Sequence, residues 1–490
     1  MAESMAVYEF MDDALAGELT VGGAQDIRHF RDRVADGEIP HPNVFTPEGL
    51  FSEHDLPLGK GKSRRCRVLI CPRGEATEAR LLAQPEVRWI GQLGFSTKLG
   101  GKDFQRKPLH LVAVVDKSGS MTEVLPLVRQ SLRTVARQLH HDDQISIVTY
   151  GDRGQLVLPP TKVTAKGRAD ILATIEGIDV GGSTAMEDGL RKGLAVARRS
   201  RRSFAGTTRV MLFTDERPNV GATDKHSFMS LLEGASADGI GMTTIGVGVQ
   251  FGAELATAIS SVRGGNLFFF PDETTMATVF EDELDMMVTE VAHDLKLTVR
   301  PDAGLKIAGV YGIPGDKLTW GKRGAIELEV ATLFLSKRAG GIYVALAPDG
   351  SRVLPTARPK TGSAVVHVEM SYTPVDDKRR TAKAALRTVA KADASIGLTR
   401  GLLLVDQVTA LKEATRLHHE ANDQEGAYQL VHALAGRFRR LTDDDLEPER
   451  TLVLNLERTL AKRSGHAGEG RSSRVRDPVS GLPKKIADDG

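Results

Sequence analysis

From residue 107 to about 292 the chain alternates apolar runs with amphipathic stretches. Leu109 to Val115 is a near-continuous hydrophobic run of the kind buried on both faces of a parallel sheet. After it, Val124, Leu127, Val128, Leu132, Val135 and Leu139 recur at helical spacing. Ile145 to Tyr150 predicts a second strand, and Gln155 to Leu158 a short hairpin arm. Helices follow near 167–177, 186–201, 224–237 and 252–261, with strands at 207–214, 241–248 and 265–270. A closing helix over 273–292 carries Met276, Val279, Phe280, Leu284, Met287, Val288 and Val291, a stripe that reads as core packing. This order of elements predicts an α/β domain with a doubly wound, mostly parallel sheet.

Beyond residue 292 the period drops to two. Leu295–Arg300, Ala325–Val330, Ile342–Leu346 and Ala364–Met370 read as half-buried strands, so 293–375 is expected to be an antiparallel β-sandwich. Residues 376–463 are Ala- and Leu-rich and predict a helical region, with segments at 378–393, 397–419, 423–440 and 448–463. The stretch 464–490 is rich in Gly, Ser and charge, lacks a core pattern, and is expected to be disordered. Residues 1–106 predict a helix and a small β unit, with strands at 66–71 and 87–93. That unit is expected to pack beside the main sheet or to pair with strands beyond 292.

Composition narrows the choices. A chain of 490 residues exceeds one ordinary core. A net charge of +1 and 5% aromatics argue against a nucleic-acid binder. No basic start followed by an apolar run opens the chain, and no stretch is apolar enough to cross a bilayer, so a cytoplasmic location is expected. The cysteines, Cys66 and Cys71, fall on one expected strand, where a separation of five places them on opposite faces. A disulfide between them is therefore not expected, and zinc-ligand spacing is absent.

The chemistry concentrates after the first strand of the α/β region, in Asp116-Lys117-Ser118-Gly119-Ser120-Met121. A carboxylate and two hydroxyls at alternate positions, at the carboxyl end of a parallel strand, suit a hard divalent cation. The spacing Asp-x-Ser-x-Ser resembles the metal-ion-dependent adhesion site of the von Willebrand factor type A family. Two further contributions stand in the expected order: Thr184, in the turn Gly181-Gly182-Ser183-Thr184, and Asp215, closing the apolar run Val210 to Thr214. The resemblance implies Mg²⁺ held by Asp116, Ser118, Ser120, Thr184 and Asp215, with Mn²⁺ or Ca²⁺ as substitutes. It also implies a vacant position that takes a Glu or Asp side chain of a partner protein. Lys117 and Arg217 flank the site and are candidates for steering an acidic partner, against the plainer reading of solvated loop charge. Glu216 stands where many relatives have Gly.

The resemblance reaches further, more loosely. Residues 26–31, 37–40 and 47–51 are similar to the segment ahead of one bacterial group of these proteins. The β-sandwich resembles modules of inter-alpha-trypsin-inhibitor heavy-chain-like proteins. Because the closing helix runs straight into that module, the module is a candidate regulator of the metal loop. The competing function is a metal-dependent hydrolase in which the same cation polarises a substrate and generates hydroxide; a separate reading with Ser118 or Ser120 as nucleophile lacks a nucleophile elbow around either serine. No Walker A or dinucleotide motif occurs. The adjacent pairs His140-His141 and His418-His419 do not face one metal from a helix, and Asp443-Asp444-Asp445 reads as a helix cap or an acidic surface.

Overall fold

The computed structural model describes residues 17–20, 27–42, 47–59, 68–97, 99, 104–215, 225–247, 261–270, 279–281, 284–313, 318–336, 340–350, 360–375 and 377–466. Strands β1 (Gly17–Thr20), β2 (Ile70–Glu78) and β3 (Trp89–Thr97) precede the α/β region. Its own strands are β4 (Leu109–Asp116), β5 (Gln144–Tyr150), β6 (Gly154–Lys162), β7 (Thr207–Thr214), β8 (Gly241–Val247) and β9 (Gly265–Phe270). They form one sheet in the order β6-β5-β4-β7-β8-β9, parallel except for β6 at one edge.

Strand β4 shows why the alternation was readable. Every residue in it is buried, and successive side chains go to opposite faces. Leu111, Ala113 and Val115 join one core with Val128, Leu132 and Val135 of the helix Leu125–Gln138 and with Phe280, Leu284 and Met287. Val112 and Val114 join the other, with Leu190 and Leu194 of the helix Met186–Arg201 and Phe228 of the helix Lys225–Ala237. The chain leaves β4 for β5 and β6, then returns to place β7 on β4's other side. The order therefore reverses between β4 and β7, and Asp116 and Asp215 both sit at that switch point.

The entry to β4 is fixed by a buried ion pair. Arg106 donates from Nη1 and Nη2 to the two oxygens of Asp143 (2.8 and 2.6 Å), and Asp143 also accepts from the backbone of Leu109 (2.7 Å) and His140 (2.6 Å). Asp143 is wholly shielded from solvent.

The second sheet departs from the expected modules. Strands β10 (Glu290–Pro301), β11 (Leu305–Tyr311), β12 (Leu318–Trp320), β13 (Ile326–Ser336), β14 (Ile342–Pro348), β15 (Ala364–Pro374) and β16 (Arg380–Thr388) combine with β1–β3 in a single sheet. Strand β3 pairs with β2 and β14, and β16 lies parallel to β2, so of the two arrangements open to the early β unit it takes the pairing with strands beyond 292. Residues 380–388, expected as helix, are strand. Ala-rich composition favours a helix only weakly, and here it yields to a continuous ladder with β15. The closing helix also ends sooner than expected: residues 284–287 are helical, and Glu290 already pairs with Phe334. The part of that helix over 273–278, like the helix near 252–261 and the tail from 467 to 490, lies outside the described residues.

The cysteine expectation is corrected too. Cys71 is disulfide-bonded, and Cys66, the chain's other cysteine, lies outside the described residues. Opposite faces hold only for a continuous strand over 66–71, whereas β2 begins at Ile70 after a bend at 68–69.

The chain divides into two compact units. The described residues of 1–26, 46–79 and 86–402 form one, holding both sheets; those of 27–45, 80–85 and 403–490 form the other. The second unit is helical, built from Ile27–Ala35, the greater part of Ile396–His419, Gln424–Phe438 and Glu447–Arg463. Within it Arg31 pairs with the buried Glu449, while Asp406 accepts from Leu82 N (2.8 Å) and from Arg437. The N-terminal helix thus belongs with the C-terminal helices, so neither 1–106 nor 376–463 is a unit by itself. His418 and His419 bond Gln424 and the Ile39 carbonyl, and Asp443 caps a 3₁₀ turn at Asp445 N. Among the described residues no helix is long and apolar enough to cross a membrane.

Two outcomes follow for stability. Asp143→Ala would remove the bidentate partner of Arg106, leaving it Asp285 at Nε, and would take the acceptor from the Leu109 and His140 amides; it is expected to cost up to about 3–5 kcal/mol in chemical denaturation. His110, buried at the start of β4 with Nε2 on the Ser146 hydroxyl (3.0 Å), has its pKa lowered by burial to about 4. The folded state thus excludes a proton that the unfolded chain binds below pH 6.5. The contribution of His110 is complete above pH 6.5 and falls progressively toward pH 4, by roughly 3 kcal/mol at most. Asp406, whose carboxyl burial pushes up to about 6, acts in the opposite sense over the same window. The His110 part is therefore read by comparing denaturation midpoints of wild type and His110→Gln, and the difference is expected to move against wild type as pH falls from 6.5 to 4.

Candidate metal centre

Asp116 ends β4 in the core, fully buried, and its carboxylate is surrounded by neutral donors. Oδ1 accepts from the Ser118 backbone N–H at 2.9 Å. Oδ2 accepts from the Tyr150 hydroxyl and from Thr214 Oγ1, each at 3.0 Å. Tyr150 closes β5 and Thr214 closes β7, so the strands on either side of β4 both hold the same oxygen. Among the described residues no cation pairs with this carboxylate.

From Asp116 the polar groups run outward to solvent. Ser118 is buried, and its Oγ lies 3.1 Å from Ser120 Oγ. Ser120 is exposed and donates to Asp215 Oδ1 at 3.0 Å. Asp215 is half-buried, and its pKa is raised, first by burial and then by the Asp116 charge, with the Ser120 bond opposing. Asp116, Ser118, Ser120 and Asp215 thus form one continuous hydrogen-bonded set.

Thr184 arrives on the loop before the helix Met186–Arg201, and that loop is tied through its backbone to the loop that follows Asp116. Gly181 N donates to Lys117 O at 2.7 Å, and Gly119 N donates to Gly182 O at 3.3 Å. Gly182 has φ +91, and a Cβ there would lie 2.7 Å from Asp152 N, so glycine is needed on both counts. Thr184 itself is half-buried and makes no hydrogen bond among the described residues.

The candidates for steering fare differently. Lys117 is turned into the loop, where Nζ donates to Gly181 O at 2.9 Å. Its first role is to fasten the loops, which the sequence did not disclose. Glu216 and Arg217 lie outside the described residues. Two residues escaped the sequence reading altogether. Tyr150 looked like an ordinary strand residue, and its phenol is the part that reaches Asp116. Asp152 sits exposed in the turn after β5 and accepts at Oδ1 from Ser183 N (2.8 Å) and Ser183 Oγ (2.9 Å). Those bonds, with the Lys117 charge nearby, hold the Asp152 carboxyl below its usual range.

Residues 110–282 match the family profile of the von Willebrand factor type A domain, the span that carries this arrangement. This region is a von Willebrand factor type A domain. Protein YfbK of Escherichia coli is 31% identical over 194 residues, which are 39% of this chain and 33% of that protein. Protein sll0103 of Synechocystis is 28% identical over 208 residues, 41% of this chain and 48% of that one. The chain therefore spans a third to a half of the length of these two relatives. A solved von Willebrand factor type A structure from Catenulispora acidiphila aligns with 87% of this chain and 95% of its own, at 13% identity and a TM-score of 0.43.

Tyr150→Phe removes one of the two donors to Asp116 Oδ2 without changing ring volume. It is expected to lower stability by about 1–3 kcal/mol when unfolding is followed in EDTA. An unchanged midpoint would mean that the phenol carries none of the carboxylate's desolvation.

Proposed function

We propose that the von Willebrand factor type A domain carries a metal-ion-dependent adhesion site. In it Asp116, Ser118, Ser120, Thr184 and Asp215 hold Mg²⁺, which captures a Glu or Asp side chain of a partner protein. The observation that carries this reading is the buried Asp116 carboxylate, set beside a second carboxylate and faced, among the described residues, by hydroxyl and amide donors. A buried charge is costly without an opposite charge or metal to compensate it. The donors present are all oxygen, which suits Mg²⁺ or Mn²⁺; Ca²⁺ asks for more ligands and a looser cage.

The ion supplies a Lewis-acidic position for an anionic oxygen. Two carboxylates formally match the charge of the ion; acting through water, as the family resemblance implies, they would leave part of that charge for the partner. The residues do the rest. Tyr150 and Thr214 fix the rotation of Asp116, Ser118 N–H occupies its inner oxygen, and the backbone ties at Gly181 and Gly182 bring the Thr184 loop to the site. A hydrolytic reading needs a general base beside the ion. Among the described residues, the side chains bonded to the Ser118 and Ser120 hydroxyls are each other and Asp215, itself a proposed ligand. Binding is favoured on that ground. The Cys71 disulfide favours an oxidising compartment over the cytoplasm, where such bonds are rare.

Calorimetric titration with Mg²⁺ tests the site. The wild-type chain is expected to take up one ion per molecule, Thr184→Val to bind it about tenfold more weakly, and Asp116→Asn to show no saturable uptake while keeping its circular dichroism. Crosslinking in Mg²⁺ and in EDTA then tests the partner. Capture that needs Mg²⁺ and is lost when one exposed Glu or Asp of the partner is neutralised supports the proposal. Absent Mg²⁺ uptake by folded wild-type protein, or capture indifferent to EDTA, would overturn it.

A further inference from the structure

Thr184 has to reach the proposed ion from a loop that begins Gly181-Gly182, the two residues least able to hold a backbone in place. The ties through Lys117 and Gly119 fix these glycines, not the hydroxyl two residues later. Ala185 N, bonded to Gly151 O at 2.8 Å, fixes the far side. Between these anchors Ser183 is gripped at both its backbone N–H and its hydroxyl by one oxygen of Asp152. Asp152 comes from a different part of the chain, the turn joining β5 to β6. There the backbones run so close that a Cβ on Gly151 would meet Gly181 O at 2.4 Å.

Resting on the site proposed above, we infer that Asp152 is a positioning residue for metal capture: by clamping Ser183 it sets the direction in which Thr184 presents its hydroxyl. It does not ligate the ion. What it contributes is order. Without the clamp the Gly181–Thr184 loop would have to give up its freedom each time the ion binds, and affinity would fall by that entropy. The acceptor oxygen is the working part, because both bonds end on Oδ1. Side chains that orient ligands in this way are worth about 10-fold to 100-fold in metal affinity.

The charge of Asp152 offers a competing explanation, since any carboxylate near a cation site attracts the ion. Asparagine separates the two, because it keeps an oxygen for Ser183 and loses the charge. Mg²⁺ titrations of the full chain are therefore compared for wild type, Asp152→Ala and Asp152→Asn, with melting in EDTA as the control for folding. Asp152→Ala is expected to bind Mg²⁺ about 10-fold or more weakly. Its melting temperature in EDTA should stay within a few degrees of wild type, since the residue is exposed. Asp152→Asn is expected to recover most of the loss. Ser183→Ala, which deletes one of the two donors, should fall between wild type and Asp152→Ala. Wild-type affinity in Asp152→Ala, or equal weakening in Asp152→Asn and Asp152→Ala, overturns the inference while leaving the metal site standing. No Mg²⁺ uptake by the wild-type chain overturns the site itself, and the inference with it.

Discussion

The negative charge on Asp116 governs the arrangement around it. A carboxylate taken out of water at the end of a central strand is among the most expensive things a core can hold. Here it is met by a backbone amide and two hydroxyls, one from each neighbouring strand. These neutral donors lower the cost and fix the geometry, and they leave the charge in place. Asp215, half-buried and raised in pKa first by burial and then by Asp116, adds to the same imbalance. The strand order concentrates this charge where β4 and β7 diverge, the place where an open α/β sheet offers room for a ligand.

The rest of the domain reads as the support this charge requires. Alternate residues of β4 anchor it in two cores, and the Arg106–Asp143 pair pins its beginning, so that Asp116 at its end has little freedom. The loop bearing Thr184 is held to the loop after Asp116 through bonds with Lys117 and Gly119, and through Asp152 to the turn after β5. The same unit also contains the second sheet, whose strand β10 begins at Glu290, directly after the helical turn that ends at Met287.

What the sequence disclosed follows from the range of the interactions involved. Strands such as Leu109–Asp116 declare themselves because burial on both faces leaves almost no polar position. Asp116, Ser118, Ser120, Thr184 and Asp215 could be put forward together because their spacing resembles a family motif, and four of them, Asp116, Ser118, Ser120 and Asp215, share one hydrogen-bonded set. Interactions between distant segments left no such trace. Residues 380–388 are strand because β15 pairs with them, although their alanines are at home in a helix. The helix Ile27–Ala35 joins helices more than three hundred residues away, through contacts such as Arg31 with Glu449. Tyr150 and Asp152 act through a hydroxyl and a carboxylate placed by the fold, and no local pattern marks either.

Mn²⁺ has nearly the coordination tastes of Mg²⁺ and scatters X-rays anomalously, so it locates the ion directly. An anomalous difference map from crystals soaked in MnCl₂ is expected to show a peak about 2.0–2.3 Å from the Ser118 and Ser120 hydroxyls, with Thr184 and the two aspartates around it. A map with no peak among these residues at saturating Mn²⁺, in crystals whose site is open to solvent, would contradict the claim that the buried charge of Asp116 is there to hold a cation.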